Sequence, residues 1–270
     1  MFPFLIKQGE FIIPTFSFML MLASLGATFY MYWRAPSKGL SQTVVLDIGI
    51  IGTIAAIIGG RLFHVFVEEP AYYWQHPTYI YQIWRGGFVS YGGVTLFTFT
   101  IIAYLKLRKL QVLKYFDLIA QAFPIINLFV RIGCLGAGCC YGNPTDFFFH
   151  LVFTNRASDA GSKFPGQPLH ATQIYDIFLN SIVLFILLNW IDRKKRFDGQ
   201  TTAAFLILYG FMRGMVEFLR GDLDRGVYFG GIISTAQIMG IIAIIAGTLL
   251  YFYCRNAARK AGTLKGATAT

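Results

Sequence analysis

At 270 residues, with 56% of positions hydrophobic and only 13% charged, the chain is too apolar for an ordinary soluble domain. Its mean hydropathy of +0.56 fits several membrane spans. A net charge of +10 leaves nucleic acid, anionic lipid or membrane topology as its reason until the charges are placed along the chain.

The first residues, Met1 to Gln8, carry one lysine and no small-residue cleavage site. No removable signal peptide is expected, and the first span is itself the targeting element. Crossing the hydrocarbon core takes about 20 mainly apolar residues. Stretches at about 12–33, 44–66, 87–105, 115–136, 171–191, 202–220 and 231–254 meet that need. The larger loop, at about 137–170, carries Phe147 to Phe149 and Phe164 and is expected on the outer face, with aromatic groups near the interface. No internal repeat or linker divides the chain. The expected fold is an all-α integral membrane protein with seven transmembrane helices. One membrane domain covers 1–255, and 256–270 is a basic cytoplasmic tail.

Orientation follows from lysine and arginine in alternate loops. One side holds Arg34, Lys38, Lys106, Arg108, Lys109, Lys114, Arg193 to Arg196, Arg255, Arg259, Lys260 and Lys265, fourteen in all. The other holds six: Lys7, Arg85, Arg156, Lys163, Arg220 and Arg225. The basic side is expected to be cytoplasmic, which puts the N-terminus outside and the C-terminus inside. Topology accounts for the charge, so no nucleic-acid partner is needed.

Charges inside spans cost a few kcal/mol or more each near the membrane centre. They are Asp47, Arg61, Asp117, Arg131, Asp176, Arg213 and Glu217. Asp47 and Asp117 lie near helix starts and suit first-turn acids on helix dipoles. Arg61, Arg131 and Arg213 fall in the outer part of spans two, four and six. Three snorkelling arginines are the bland reading, and Arg61 fits it. Arg131 and Arg213 read better as lining a polar cavity, because a guanidinium presents a planar fork to phosphate or carboxylate. Tyr209, Arg213 and Glu217 are spaced by four and share one helical face, so Glu217 can neutralise Arg213 or Arg220. Ser90 to Gly93, His170 to Asp176 and Ser234 to Gln237 open spans three, five and seven at the same depth. Together these describe a cationic cavity toward the outer leaflet, with an anionic lipid headgroup as ligand class.

Span four ends in Arg131-Ile132-Gly133-Cys134-Leu135-Gly136-Ala137-Gly138-Cys139-Cys140-Tyr141-Gly142. A C-x4-C-C spacing lacks the paired C-x2-C units of many zinc sites. Buried thiols, a disulfide and a metal all remain open for these cysteines. No nucleotide loop and no recognisable metal motif is present, so no cofactor is expected.

In order along the chain, these motifs resemble the prolipoprotein diacylglyceryl transferase family. Gly59-Gly60-Arg61 with Pro70, Pro77 and Trp84, Gly86 to Gly93, and Asp117, Pro124 and Arg131 to Gly142 carry the resemblance. So do Thr172 to Tyr175, Tyr209 to Arg213 with Glu217, Phe218 and Arg220, and Ser234 to Gln237. The resemblance implies a multi-pass enzyme of the bacterial inner (cytoplasmic) membrane. It would move a diacylglyceryl group from phosphatidylglycerol to the lipobox cysteine of a prolipoprotein signal peptide. Its partners are then phosphatidylglycerol, the signal peptide and surrounding membrane lipids. It further implies that Arg131 binds the lipid phosphate, Arg213 stabilises the departing phosphate, and Tyr209 assists. Gly92 and Gly93 would shape the headgroup pocket. Arg61, Gly142, Gln173 and Glu217 complete the expected substrate-binding set, with Tyr91 as an expected catalytic residue. The chain departs from the family pattern at Tyr91, where the family has histidine, at Cys134, where it has asparagine, at Cys139, where it has an acid, and at Phe16, where it has tyrosine. A non-catalytic lipid-binding or transport protein, or a transferase for another acceptor, are the alternatives on the same scaffold.

Overall fold

A computed structural model describes residues 2–8, 11–222, 226–228 and 233–264. Arg225, Lys265, the first residues of the expected span 231–254 and the end of the basic tail lie outside the described residues.

The chain opens with a hairpin of β1 (Phe4–Gln8) and β2 (Phe11–Pro14), which leads directly into α1 (Thr15–Arg34). Then come α2 (Gln42–Phe63), the short α3 (Pro70–Gln75), α4 (Ser90–Leu107) and α5 (Val112–Ala137). A small lobe follows, made of β3 (His150–Val152), α6 (Asp159–Lys163) and β4 (Pro168–His170). The chain continues through α7 (Thr172–Ile186), α8 (Gln200–Glu217), β5 (Val227–Tyr228), β6 (Ile233–Ser234) and α9 (Thr235–Lys260). One π-helical turn extends α2 to Glu68 and another extends α7 to Ile191.

Among the described residues, six helices are long and apolar enough to cross a membrane: α1, α2 and α7 with their π turns, α4, α5 and α9. Helix α8 stands where the sixth span was expected, but Gln200, Thr201, Thr202, Arg213 and Glu217 dilute its apolar character. The described residues are mostly helical, with three short antiparallel pairs, β1–β2, β3–β4 and β5–β6, between the helices. Each is too short to show a period in the sequence, and each pairs backbone groups that no helix satisfies.

Local chemistry sets the helix ends. Gly86 and Gly87 take φ of +84° and +80°, which a right-handed helix excludes, so α4 begins at Ser90 rather than at 87. Pro124 sits inside α5, which nevertheless runs on to Ala137. Helix α9 opens with a capping box. Ser234 Oγ accepts from Gln237 N at 3.2 Å, and Gln237 Oε1 accepts from Ser234 N at 3.0 Å. Ser234 and Gln237, counted above as cavity features, therefore have a sufficient structural role as caps.

The chain forms two compact units, Thr28–Tyr115 and the remainder, Met1–Ala27 with Phe116–Thr270. In the Thr28–Tyr115 unit, α2 and α4 meet through glycines. A Cβ at Gly92 would lie 2.5 Å from the Gly59 carbonyl oxygen, and one at Gly93 would lie 2.9 Å from that of Ala56. Small residues let membrane helices approach to backbone contact, where dispersion and not water expulsion holds them. Gly92→Ala should therefore destabilise this unit by about 1–3 kcal/mol through overpacking. A lower thermal unfolding midpoint in detergent would show it.

In the other unit, α8 and α9 meet in the same way. A Cβ at Gly210 would lie 2.5 Å from the Gly240 carbonyl oxygen, and one at Gly240 would lie 2.8 Å from that of Gly210. Ala120, Val183, Leu187, Phe205 and Met212 form an apolar core among α5, α7 and α8. The lobe between α5 and α7 has its own core of Tyr141, Phe153, Ala160 and Leu169.

Asp117 lies in α5 but serves a different helix from the one expected. Its carboxylate accepts from Gly199 N, Thr202 N and Thr202 Oγ1, each at 2.8 Å, so it caps α8. Lys195 Nζ adds an ion pair at 2.7 Å. Asp117 is buried, so Asp117→Ala should cost about 3–5 kcal/mol by leaving these donors unpaired. Burial lowers the Lys195 ammonium pKa, but Asp117 and Asp198 more than offset this, and the net shift is upward. That contribution to stability is full below about pH 10.4, the unfolded value, and fades as pH rises through the higher folded value. Thermal midpoints measured against pH should show an alkaline loss that Asp117→Asn reduces.

Candidate functional site

In the unit that includes α5, α7 and α8, these helices bring most of the in-span charges together. Arg131 on α5 meets Asp176 on α7, with Nε 2.7 Å from Oδ2. Both are buried. On α8, Arg213 NH1 lies 2.8 Å from Glu217 Oε2, as the spacing of four implies. Arg220 reaches the same Glu217 oxygen at 3.8 Å, and its Nε donates to Asp222 Oδ1 at 2.9 Å. Each arginine thus has a carboxylate neighbour. These arginines, expected to line a cationic cavity, lie among carboxylates in a group of alternating charge, because taking a guanidinium out of water without a partner is costly.

Tyr209 completes this group. Its hydroxyl bonds to the Asn127 side chain, and Arg213, Arg131 and Asp176 are its charged neighbours. The ring stacks on Phe205, with centroids 5.4 Å apart, and meets Phe123 edge-on at 5.5 Å. Aromatic packing on one side and charge on the other fix where the phenol points.

The loop after α5 is clamped to the start of α7. Gln173 Nε2 donates to the Cys139 carbonyl at 2.8 Å, and Thr172 Oγ1 donates to that of Cys140 at 2.7 Å. Gln173 Oε1 and Asp176 Oδ1 are buried acceptors with no hydrogen-bond donor among the described residues. Gly142 lies between two backbones. Its N–H donates to His170 O at 3.2 Å, and a Cβ there would fall 2.6 Å from that oxygen and 2.8 Å from Leu219 O. Close packing therefore suffices to explain this glycine.

Cys134, Cys139 and Cys140 are not joined by disulfides. Their sulfurs lie within 4.8 Å of one another. Hydrogen bonds from Cys134 and Cys139 draw the Cys140 thiol well below its usual pKa despite burial, with Arg131 and Arg220 adding to the effect. Hydrogen bonds with Cys134 and Cys140, together with burial, push the Cys139 thiol upward.

In the Thr28–Tyr115 unit, Arg61 is fully engaged by backbone. Nε donates to Ile80 O at 3.1 Å, NH1 to Gly86 O and to Gly87 O at 3.2 Å, and NH2 to Tyr79 O at 2.6 Å and Gln82 O at 3.5 Å. All five guanidinium donors are used, and Tyr73 stacks under the cation at 5.1 Å. Arg61, expected among the substrate ligands, pins the loop from Tyr79 to Gly87. Gly92 and Gly93 face α2, as described above. Tyr91 lies half-buried in the first turn of α4.

Sequence reasoning passed over His64. Its Nδ1 lies 2.6 Å from Glu68 Oε2, its ring is edge-on to Tyr73 at 5.6 Å, and it abuts Gly87. A histidine and a glutamate four apart on a helix end was the signal available for this pair.

A sequence model of the prolipoprotein diacylglyceryl transferase family matches residues 3–253. The chain is 32% identical to a phosphatidylglycerol–prolipoprotein diacylglyceryl transferase of Clostridium tetani, over 86% of this chain and 90% of that protein. It is 33% identical to one of Clostridium perfringens, over 88% and 90%. It is 31% identical to one of Photobacterium profundum, over 96% and 95%.

Proposed function

Since the chain belongs to the prolipoprotein diacylglyceryl transferase family, we propose that it transfers a diacylglyceryl group from phosphatidylglycerol to the lipobox cysteine thiol of a prolipoprotein. The protein is a multi-pass membrane protein. In this reading α8 is the seventh span, beside the six strongly apolar helices. The N-terminus faces out, the C-terminus faces the cytoplasm, and the membrane is the bacterial inner membrane.

The observation that carries the reading is the convergence of Arg131, Arg213 and Tyr209, with their buried carboxylates, from three helices of one unit. In the reaction the cysteine sulfur attacks the carbon of the diacylated glycerol that bears the phosphate ester. The carbon–oxygen bond breaks, its electron pair goes to phosphate oxygen, a thioether forms and glycerol phosphate leaves. Negative charge grows on that phosphate in the transition state, and preorganised guanidinium groups stabilise it. A guanidinium has five N–H donors, and one carboxylate occupies at most two, so Arg131 and Arg213 keep capacity for phosphate. Gln173 Oε1 and Asp176 Oδ1 suit the hydroxyls of a glycerol headgroup.

The thiol proton needs an acceptor. A phenol, the group that Tyr91 offers, is a weak base at neutral pH. We assign the proton to the Glu217 carboxylate, which lies in the same unit as Arg131 and 2.8 Å from Arg213 NH1.

The test is complementation of a bacterial strain depleted of its own transferase. Growth with lipidated lipoproteins is expected. A well-expressed, correctly inserted protein that fails would favour a lipid-binding protein or a transferase for another acceptor. Glu217→Gln should lower turnover, and a Tyr91→Phe variant with full turnover would exclude the phenol as acid or base.

A further inference from the structure

The transferase reading gives the cysteines no part, yet the structure gathers three of them. Cys134 ends in the last turn of α5 and is buried, while Cys139 and Cys140 are half-buried. The intervening turn reverses the chain. Gly138 and Cys140 both take left-handed φ, +70° and +58°. For a non-glycine residue such as Cys140 this conformation is strained, so the surroundings must hold it. They do so from three directions. Gly138 N and Cys139 N both donate to Cys134 O, at 2.8 and 3.1 Å, Ala160 N donates to Gly138 O at 2.9 Å, and Thr172 and Gln173 bond the Cys140 and Cys139 carbonyls. The result is three sulfurs within 4.8 Å of one another on a clamped backbone.

We propose that Cys134, Cys139 and Cys140 form a three-thiolate site for one thiophilic d10 metal ion, of the zinc(II) or copper(I) class. Soft sulfur ligands select such ions over magnesium or calcium. Metal–sulfur bonds of about 2.3 Å place sulfurs about 3.8–4.0 Å apart in tetrahedral or trigonal geometry. The observed cluster needs to contract by only about 1 Å, within the reach of small side-chain rotations. Loading replaces three S–H protons by the metal and releases them to solvent. A divalent ion on three thiolates carries a net charge of −1, and the Arg131 and Arg220 charges that act on Cys140 offset it. The hydrogen bonds from Thr172 and Gln173 supply the outer support that metal sites require. Three protein ligands leave a fourth position open.

The proposal is independent of transferase activity, and so is its test. Reduced, chelator-treated full-length protein in detergent is titrated with cadmium(II), then zinc(II) and copper(I). A sulfur-to-cadmium charge-transfer band should saturate at one equivalent per chain. Cys134→Ser, Cys139→Ser and Cys140→Ser should each weaken binding at least about tenfold. Cys254→Ser, a change on α9, should leave it intact. On the wild-type protein, bound metal should shield Cys139 and Cys140 from alkylation, mapped by peptide mass spectrometry, which needs no variant to fold. Absence of saturable one-equivalent binding, unchanged alkylation on loading, or binding that survives Cys140→Ser but not Cys254→Ser would each overturn the site.

Discussion

Arg131→Ala and Arg213→Ala should each lower transfer by about 10²–10³-fold or more, the scale seen when a transition-state charge loses its partner. Folding must be separated from chemistry here. Removing Arg131 leaves Asp176 buried and unpaired, which by itself costs about 3–5 kcal/mol. Replacing the pair together, with Arg131→Met and Asp176→Leu, removes both charges and should restore thermal stability toward the wild type. Transfer should remain lost. Return of activity in the stable double variant would remove phosphate binding from Arg131. The parallel change on α8 is Arg213→Met with Glu217→Gln, where Arg220 keeps a polar neighbour.

Arg61→Ala should be the most destabilising single change in the Thr28–Tyr115 unit. Five backbone carbonyls lose a charged donor at once, and hydrogen bonds to charged groups contribute about 1.5–3 kcal/mol each. The loop from Tyr79 to Gly87 then has nothing to replace it. Arg61→Lys should rescue little, because an ammonium has three donors at one point and cannot span the carbonyls that a planar fork reaches. Protease sensitivity within 79–87, together with a fall in the unfolding midpoint, measures the effect. A variant as stable as wild type with the loop still protected would contradict this role.

What was legible in the sequence follows a physical pattern. Apolar stretches of membrane length stand out against any background, and so do charges within them, which is why Arg131, Arg213, Glu217 and Asp176 could be singled out. The Arg213–Glu217 contact follows from helical spacing alone. The Arg131–Asp176 contact joins residues 45 positions apart on different helices, and no local rule reports it. Asp117 shows the same limit: its place near a helix start was visible, but its service to α8 was not. Arg61 looked like a snorkelling or ligand-binding cation because the fold of the 79–87 loop cannot be read from its residues. The glycines carried two meanings, close packing and ligand approach, and the α2–α4 contact accounts for Gly92 and Gly93 by the first. The three cysteines looked unlike a metal motif because the spacing C-x4-C-C says nothing of the left-handed turn at Gly138 and Cys140 that folds them together.

The central claim is a reaction, so its most direct test is the product. Purified protein is incubated with phosphatidylglycerol and a synthetic signal peptide bearing a lipobox cysteine, and the peptide is weighed by mass spectrometry. The account predicts a diacylglyceryl thioether on that cysteine, with one glycerol phosphate released per peptide modified, and none when the cysteine is replaced by serine. Folded protein that binds phosphatidylglycerol yet forms no thioether, or releases glycerol phosphate without modifying the peptide, would contradict it.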